Sequence, residues 1–145
     1  MVMRDAPGFL VDTSVFIRAE KGVFDLAAYV GGTPGVFFAM SSVTATELLT
    51  GVARVDTAAR RRRRSAFVEQ VILQFPVLDF SLPCARQCAD MTAILHGNGI
   101  IVGIADLMIA ATALHHGYGV ATFNTRDFHR MPGLVVDTPP VETGR

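Results

Sequence analysis

The stretch GFLVDTSVFI, residues 8 to 17, sets an aspartate directly behind a run of apolar residues. A short apolar run bounded by turn residues reads as a buried strand, here residues 9–12 behind Pro7 and Gly8. Residues 13–21 read as a helix. Asp12 therefore ends a core strand and begins a helix. Aspartate caps helices well, so its place alone does not establish chemistry; partners elsewhere in the chain are needed.

Outward from this stretch, strands and helices alternate. Residues 23–30 read as a second helix, GGTPG (31–35) as a turn and 36–40 as a strand. Ser42 is the expected N-cap of a helix running to about residue 55. Residues 58–75 form a helix carrying RRRRR at 60–64, followed by a strand over 76–80. Residues 83–96 are helical up to GNG, and 104–116 form a strongly apolar helix stopped by Gly117. Strands over 120–123 and 134–136 follow, and TPPVETGR (138–145) is an expected flexible tail. The alternation implies one α/β domain over residues 1–145, with a mostly parallel central sheet flanked by helices on both faces. In such sheets the functional crevice lies beyond the carboxyl ends of the strands, where Asp12 sits.

The chain has 145 residues, half of them hydrophobic, and only 18% are charged, against about 25% in an average soluble domain. The apolar excess points to a homodimer or partner interface. The formal net charge is zero, so contact with nucleic acid has to come from local clustering. The opening MVMRDAPGFLVD has too short an apolar stretch for a signal peptide. The apolar region 100–114 is interrupted by Asp106 and is too short to span a membrane. These features imply a cytoplasmic protein. Cys84 and Cys88 stand four residues apart on an expected helix, without a Cys or His motif behind them, and read as structural thiols.

Among the thirteen acidic residues, four do not fit a plain solvated role. Asp12 is one. Glu47, in SVTATELLTG, points away from the helix side expected to be buried, which carries Ala45, Leu48, Leu49, Val52 and Val55. Its neighbour Gly51 costs about 1 kcal/mol relative to alanine inside a helix, which suggests an approach by something beside Glu47. Asp106 is the lone charge in GIADLMIAATALHHG. The helix dipole favours an anion in that first turn, but it does not explain the small Ala110 and Ala113 on the same face. Asp127, in TFNTRDF, lies just past the fourth strand, where a turn aspartate is also unremarkable. All four map to one edge of one sheet. Gathered there they repel unless cations neutralise them. A hard cation such as Mg²⁺ takes oxygen ligands, activates water and stabilises charge on a phosphoryl group. No histidine or cysteine stands in a matching position, which disfavours zinc. Thr13, Ser14, Thr122 and Asn124 are placed to orient the acids.

The segments FLVDTSVFI, SSVTATELLTG, ADLMIAATALHHG and TFNTRDFHRMPGLVV together resemble PIN-domain ribonucleases, and among them the VapC-type toxins of bacterial toxin–antitoxin pairs. The resemblance spans nearly the whole chain. It implies a PIN-like three-layer α/β sandwich and metal-binding catalytic acids at Asp12, Glu47, Asp106 and Asp127, supported by Thr13 and Asn124. It further implies Mg²⁺-dependent or Mn²⁺-dependent endoribonuclease activity on transfer or ribosomal RNA, a homodimer, and inhibition by a VapB-like antitoxin. The arginine run is not part of that signature. At 100° per residue Arg60, Arg61 and Arg64 share one side of their helix and are candidates for RNA contact, with an acidic partner or solvent as alternatives.

Two other protein classes place acids at such an edge. A phosphorylated receiver domain needs a lysine late in the chain, whereas the one lysine here is Lys21. A haloacid-dehalogenase-type phosphatase needs a second aspartate two residues after the first, and that position is Ser14. The remaining alternative is a non-catalytic RNA-binding or partner-binding module holding a structural ion.

Overall fold

The computed structural model describes residues 6–140. Five strands form one sheet: β1 (Gly8–Val11), β2 (Phe37–Ser41), β3 (Val77–Leu78), β4 (Gly119–Ala121) and β5 (Val136–Asp137). Their order is β3-β2-β1-β4-β5, and every pairing is parallel. The expected sheet was mostly parallel; this one is wholly so. Helices α1 (Thr13–Glu20) and α2 (Leu26–Gly31) link β1 to β2, and α3 (Ser42–Ala53) and α4 (Ala58–Gln74) link β2 to β3. α5 (Leu82–Gly97) and α6 (Ile104–His116) cross back to β4, and the short α7 (Thr125–Phe128) precedes β5.

The period-two alternation of the strands builds the three layers. Phe9 and Val11 of β1, Phe38 and Met40 of β2, and Ala121 of β4 face one side, where they pack with Val15 and Phe16 of α1, Leu48 of α3, and Val68 and Val71 of α4. Leu10, Ala39 and Val120 face the other side, against Cys88, Met91 and Leu95 of α5 and Leu107 and Ile109–Ala113 of α6. Both faces of the sheet are covered, which is why the strands read as continuous apolar runs.

Several boundaries differ from the sequence expectation for identifiable reasons. Asp25 accepts a hydrogen bond from the Ala28 amide at 2.9 Å, so α2 starts at Leu26 and not at residue 23. The α3 cap is Ser41, whose hydroxyl accepts from the Val43 amide at 3.0 Å. The Ser42 hydroxyl instead accepts from the Phe80 amide at 3.2 Å, tying α3 to the chain after β3. Leu49, expected on the buried side of α3, is 44% exposed. The buried row is Thr44 and Leu48, and Leu49 is rotated 100° from it. The expected tail lies partly outside the described residues.

Two glycines have opposite reasons to be glycine. A Cβ at Gly119 would lie 2.6 Å from both the Val135 carbonyl oxygen and the Phe9 ring, so β4 needs a missing side chain to reach its neighbours. A Cβ at Gly51 would meet nothing within 4 Å. Gly119→Ala is expected to lower the melting temperature, whereas Gly51→Ala should stabilise α3 by about 0.8–1 kcal/mol. Thermal melts of both variants check the pair of signs.

Candidate active site

The strand order reverses at β1: the chain moves from β1 to β2 and β3 on one side, then returns to place β4 and β5 on the other. The carboxyl ends of β1 and β4 form the switch point, where connections leave in opposite directions and a crevice opens. Asp12 follows β1, and Thr122, Asn124 and Asp127 follow β4.

Asp12 is 4% exposed. Its Oδ2 accepts from the Ser14 hydroxyl at 2.8 Å, the Thr122 hydroxyl at 2.8 Å and the Ser14 amide at 3.4 Å. The last bond is the helix cap, so capping and chemistry coexist in one side chain. None of the three bonds reaches Oδ1, which keeps acceptor capacity for a ligand. The hydroxyls are themselves fixed: the Phe123 amide donates to Ser14 Oγ at 3.1 Å and the Asn124 amide to Thr122 Oγ1 at 2.8 Å.

Glu47 projects from α3, and its Oε1 accepts from the Thr13 hydroxyl at 2.7 Å. Thr13 Oγ1 also lies 3.4 Å from the hydroxyl of fully buried Thr44. Sequence reading named Thr13 but gave Thr44 no role; its place three residues before Glu47 was the available signal. Asp106 Oδ2 accepts from the Asn124 side-chain amide at 3.3 Å. Asp127, expected beside a strand end, occupies the first turn of α7.

The fold sets Asp12, Glu47 and Asp127 close enough for each to act on Asp106. The Asp106 carboxyl is pushed up from 3.8 to about 6, first by burial and then by the charges of Asp12, Glu47 and Asp127. The helix dipole acts in the opposite direction, worth about 0.3–1 kcal/mol, which is less than one pKa unit. It is overwhelmed. The expectation about the small residues needs correction, since Ala110 and Ala113 are fully buried core residues and do not open space before the carboxylate. Gly51, in contrast, does border open space. A cavity of about 220 Å³ is lined by Thr13, Glu20, Glu47, Gly51 and Arg64.

That cavity adjoins a larger one of about 870 Å³, where Arg60, Arg63 and Arg64 stand with Glu20 and Lys21. Arg61, expected on the same side as Arg60 and Arg64, donates to the Val55 carbonyl at 2.8 Å and lines a separate groove with Arg62. The groove follows the i, i+3, i+4 row of α4. Glu20, which reads as an ordinary surface acid, forms a 3.2 Å ion pair with Arg64. Arg60 pairs with Asp56 at 3.6 Å.

The PIN domain family matches residues 9–134, and the chain belongs to it. Ribonuclease VapC of Rickettsia bellii is 35% identical over 135 residues, covering 93% of this chain and 98% of that protein. The tRNA(fMet)-specific endonuclease VapC of Salmonella typhimurium is 35% identical over 98 residues, covering 68% and 72% of the two chains. Among solved structures, DNA-bound VapBC from Salmonella typhimurium matches with a TM-score of 0.77 at 31% identity, over 90% of this chain and 96% of that one. Among the described residues, no helix is long and apolar enough to cross a membrane.

PIN nucleases generally use a divalent metal. The donor set here fits one: four carboxylates, one of them with its pKa pushed up by burial and by the charges of the others, are relieved by a bound cation. The sign of the linkage follows. Asp106 has a folded-state pKa above its unfolded value, so its ionisation weakens the metal-free fold, and that cost disappears as pH falls from about 6 toward 3.8. Asp106→Asn should therefore raise the metal-free melting temperature at pH 7.5 and give little change near pH 4. Melts at both pH values check this; equal shifts would mean that the charge at position 106 is not the cause.

Proposed function

We propose that the protein is the endoribonuclease toxin of a toxin–antitoxin pair, hydrolysing RNA phosphodiester bonds at Asp12, Glu47, Asp106 and Asp127 to inhibit translation. The observation that carries this reading is the placement of these four acids, from the end of β1, α3, α6 and α7, around the crevice beyond the carboxyl ends of β1 and β4. There the Asp106 carboxyl is pushed up first by burial and then by the charges of the other three. An all-oxygen donor set suits Mg²⁺, with Mn²⁺ as a substitute. When bound, the divalent cation supplies water activation and charge stabilisation at the phosphoryl group.

The chain's own residues do the positioning. Ser14 and Thr122 hold one Asp12 oxygen and leave the other for the ligand. Thr13 fixes Glu47 across the gap between α1 and α3. The Asn124 amide holds Asp106 in register with the end of β4. The acids' side-chain partners are hydroxyls and an amide, without an imidazole pair to drive attack by a ribose 2′-hydroxyl. Hydrolysis by water leaves a 5′-phosphate and a 3′-hydroxyl.

The substrate proposed is transfer or ribosomal RNA, supported by the relative named for tRNA(fMet). The regulator proposed is a VapB-like antitoxin, supported by the similar VapBC complex. The site of action is the cytoplasm, where these RNAs are. A homodimer is supported by the exposed side chains of Ile94, Ile101 and Ile104 at one end of the α5–α6 pair.

With Mg²⁺ the purified protein should cleave RNA to 5′-phosphate ends, and Asp106→Asn should reduce the rate on the order of 10²-fold or more. Sequencing of the cut ends tests this, and cyclic 2′,3′-phosphates would overturn the mechanism. Retained folding with no cleavage by the wild type would favour a binding module.

Arg60, Arg63 and Arg64 are proposed as phosphate contacts along the groove toward Glu47. Replacing all three with glutamine in an Asp12→Asn background should reduce the log–log salt slope of RNA binding by roughly 2, at about 0.7 per contact. The Arg61/Arg62 double variant should change it less. Binding titrations at several salt concentrations measure both slopes.

A further inference from the structure

The two ends of α6 carry different chemistry. Asp106 is in its first turn and belongs to the acid cluster. His115 and His116 are in its last turn, about 14 Å further along the axis at 1.5 Å per residue. α5 and α6 are consecutive helices packed on each other, and Cys84 lies in the first turn of α5. The thiol sulfur of Cys84 and one nitrogen from each histidine all lie within 4.8 Å of one another. Sequence reading treated Cys84 as a structural thiol without ligand partners, because the histidines are some thirty positions away in the chain. The helix pair brings them together.

We propose that Cys84, His115 and His116 bind Zn²⁺, clamping the start of α5 to the end of α6 on the side of the molecule away from the acids. The donor chemistry is that of a thiolate and two imidazoles, the combination a borderline-soft ion takes and a hard ion does not. Three protein ligands leave a fourth position for water. Ligands bonded at about 2.0–2.3 Å to one tetrahedral ion stand roughly 3.3–3.8 Å apart. The present spacing therefore has to contract by at most about 1.5 Å, which the two exposed imidazoles can supply by side-chain rotation.

The surroundings suit the site. Cys84 is fully buried, and the Ser81 hydroxyl already donates to its sulfur at 3.3 Å, a bond that also supports a thiolate. On binding, the thiol loses its proton to solvent and gives up its contact with the Asp79 carbonyl oxygen at 3.8 Å. The His116 ring stacks on Tyr118, with 5.9 Å between centroids and 13° between planes, and Tyr118 in turn packs on Phe37 of β2. The negative end of the α6 dipole lies beside the cation. Cys88, one turn further along α5, is also buried, but its thiol contacts Thr92 and stands outside the group of ligand atoms that Cys84 forms with the two histidines; it is not a ligand.

Co²⁺ titration of the full-length protein, followed by ultraviolet and visible absorption, tests the proposal. The expected result is a thiolate-to-cobalt charge-transfer band that reports one ion per chain at this site, whatever the acids also bind, and that Zn²⁺ displaces. The band should persist in Asp106→Asn and Cys88→Ser, which separates this site from the acids and from the other thiol. It should vanish in Cys84→Ser and in the His115→Ala/His116→Ala double variant, with Zn²⁺ affinity falling roughly tenfold or more, the least that even an outer hydrogen-bond partner is worth. Both histidines are on the surface, so the double variant keeps the test valid if the buried cysteine variant fails to fold. Absence of the band in the wild type, or its survival in the double variant, would overturn the proposal.

Discussion

Four carboxylates held at the carboxyl edge of a parallel sheet repel one another, and the fold is arranged to bear that repulsion. Each acid comes from a different element: Asp12 from the end of β1, Glu47 from α3, Asp106 from α6 and Asp127 from α7. No local segment pays its own electrostatic cost. The cohesion comes from the two apolar layers on either side of the sheet, which bury Phe9 and Val11 on one face and Leu10 and Val120 on the other. Asp106 carries the strain most visibly, because its helix is locked into the core by fully buried Ile109, Ala110, Ala111 and Ala113 and cannot withdraw. Its carboxyl is pushed up first by burial and then by the three neighbouring charges, both of which follow from that fixed position.

A small hydroxyl network turns that crowding into a defined geometry. Ser14 and Thr122 meet at 3.3 Å and both donate to the same oxygen of Asp12. This ties the segment after β1 to the segment after β4 at the point where the strand order reverses. Thr13 carries the connection on to Glu47, and Thr44 supports Thr13 from the buried side of α3. Because these donors hold one side of Asp12 and Glu47, and the Asn124 amide one oxygen of Asp106, the remaining oxygens are left for a cation. A charged donor such as lysine in place of Ser14 or Thr122 would neutralise the acids internally and remove the reason to bind metal.

The sequence made the fold legible where patterning was strong. The alternation of apolar strands with helices identified the parallel sheet, and Gly117, at φ 73°, ended α6 where expected. Errors came where two signals were adjacent. Ser41 and Ser42 are both capable caps, and only the tertiary bond from the Phe80 amide to Ser42 decides between them. The acids were legible as residues out of keeping with their segments, but the reason offered for Asp106 was wrong in part: its small neighbours pack the core, while the open space lies beside Gly51. The arginine run could be assigned to a helix, but Arg63 in place of Arg61 along the groove depends on where α3 and α1 lie against α4. The Cys84–His115–His116 cluster was invisible for the same reason, since the contact exists only after two helices pair.

Placed at opposite ends of α6, the oxygen donors and the sulfur and nitrogen donors would sort cations by chemistry. Affinity for a mixed site rises toward zinc and copper along the first-row series, so an acid cluster alone risks capture by a transition metal that binds more tightly than Mg²⁺. Hard carboxylates discriminate weakly against such ions. A thiolate with two imidazoles prefers them strongly, and the stiff apolar middle of α6, from Leu107 to Ala113, keeps the two donor sets too far apart to share one ion. The same helix that forces Asp106 among its neighbours thus also presents the competing site, and its dipole favours the carboxylate at one end and a cation at the other. At the acid end the protein works against burial and charge together, which is why that end needs a cation and the other merely accepts one.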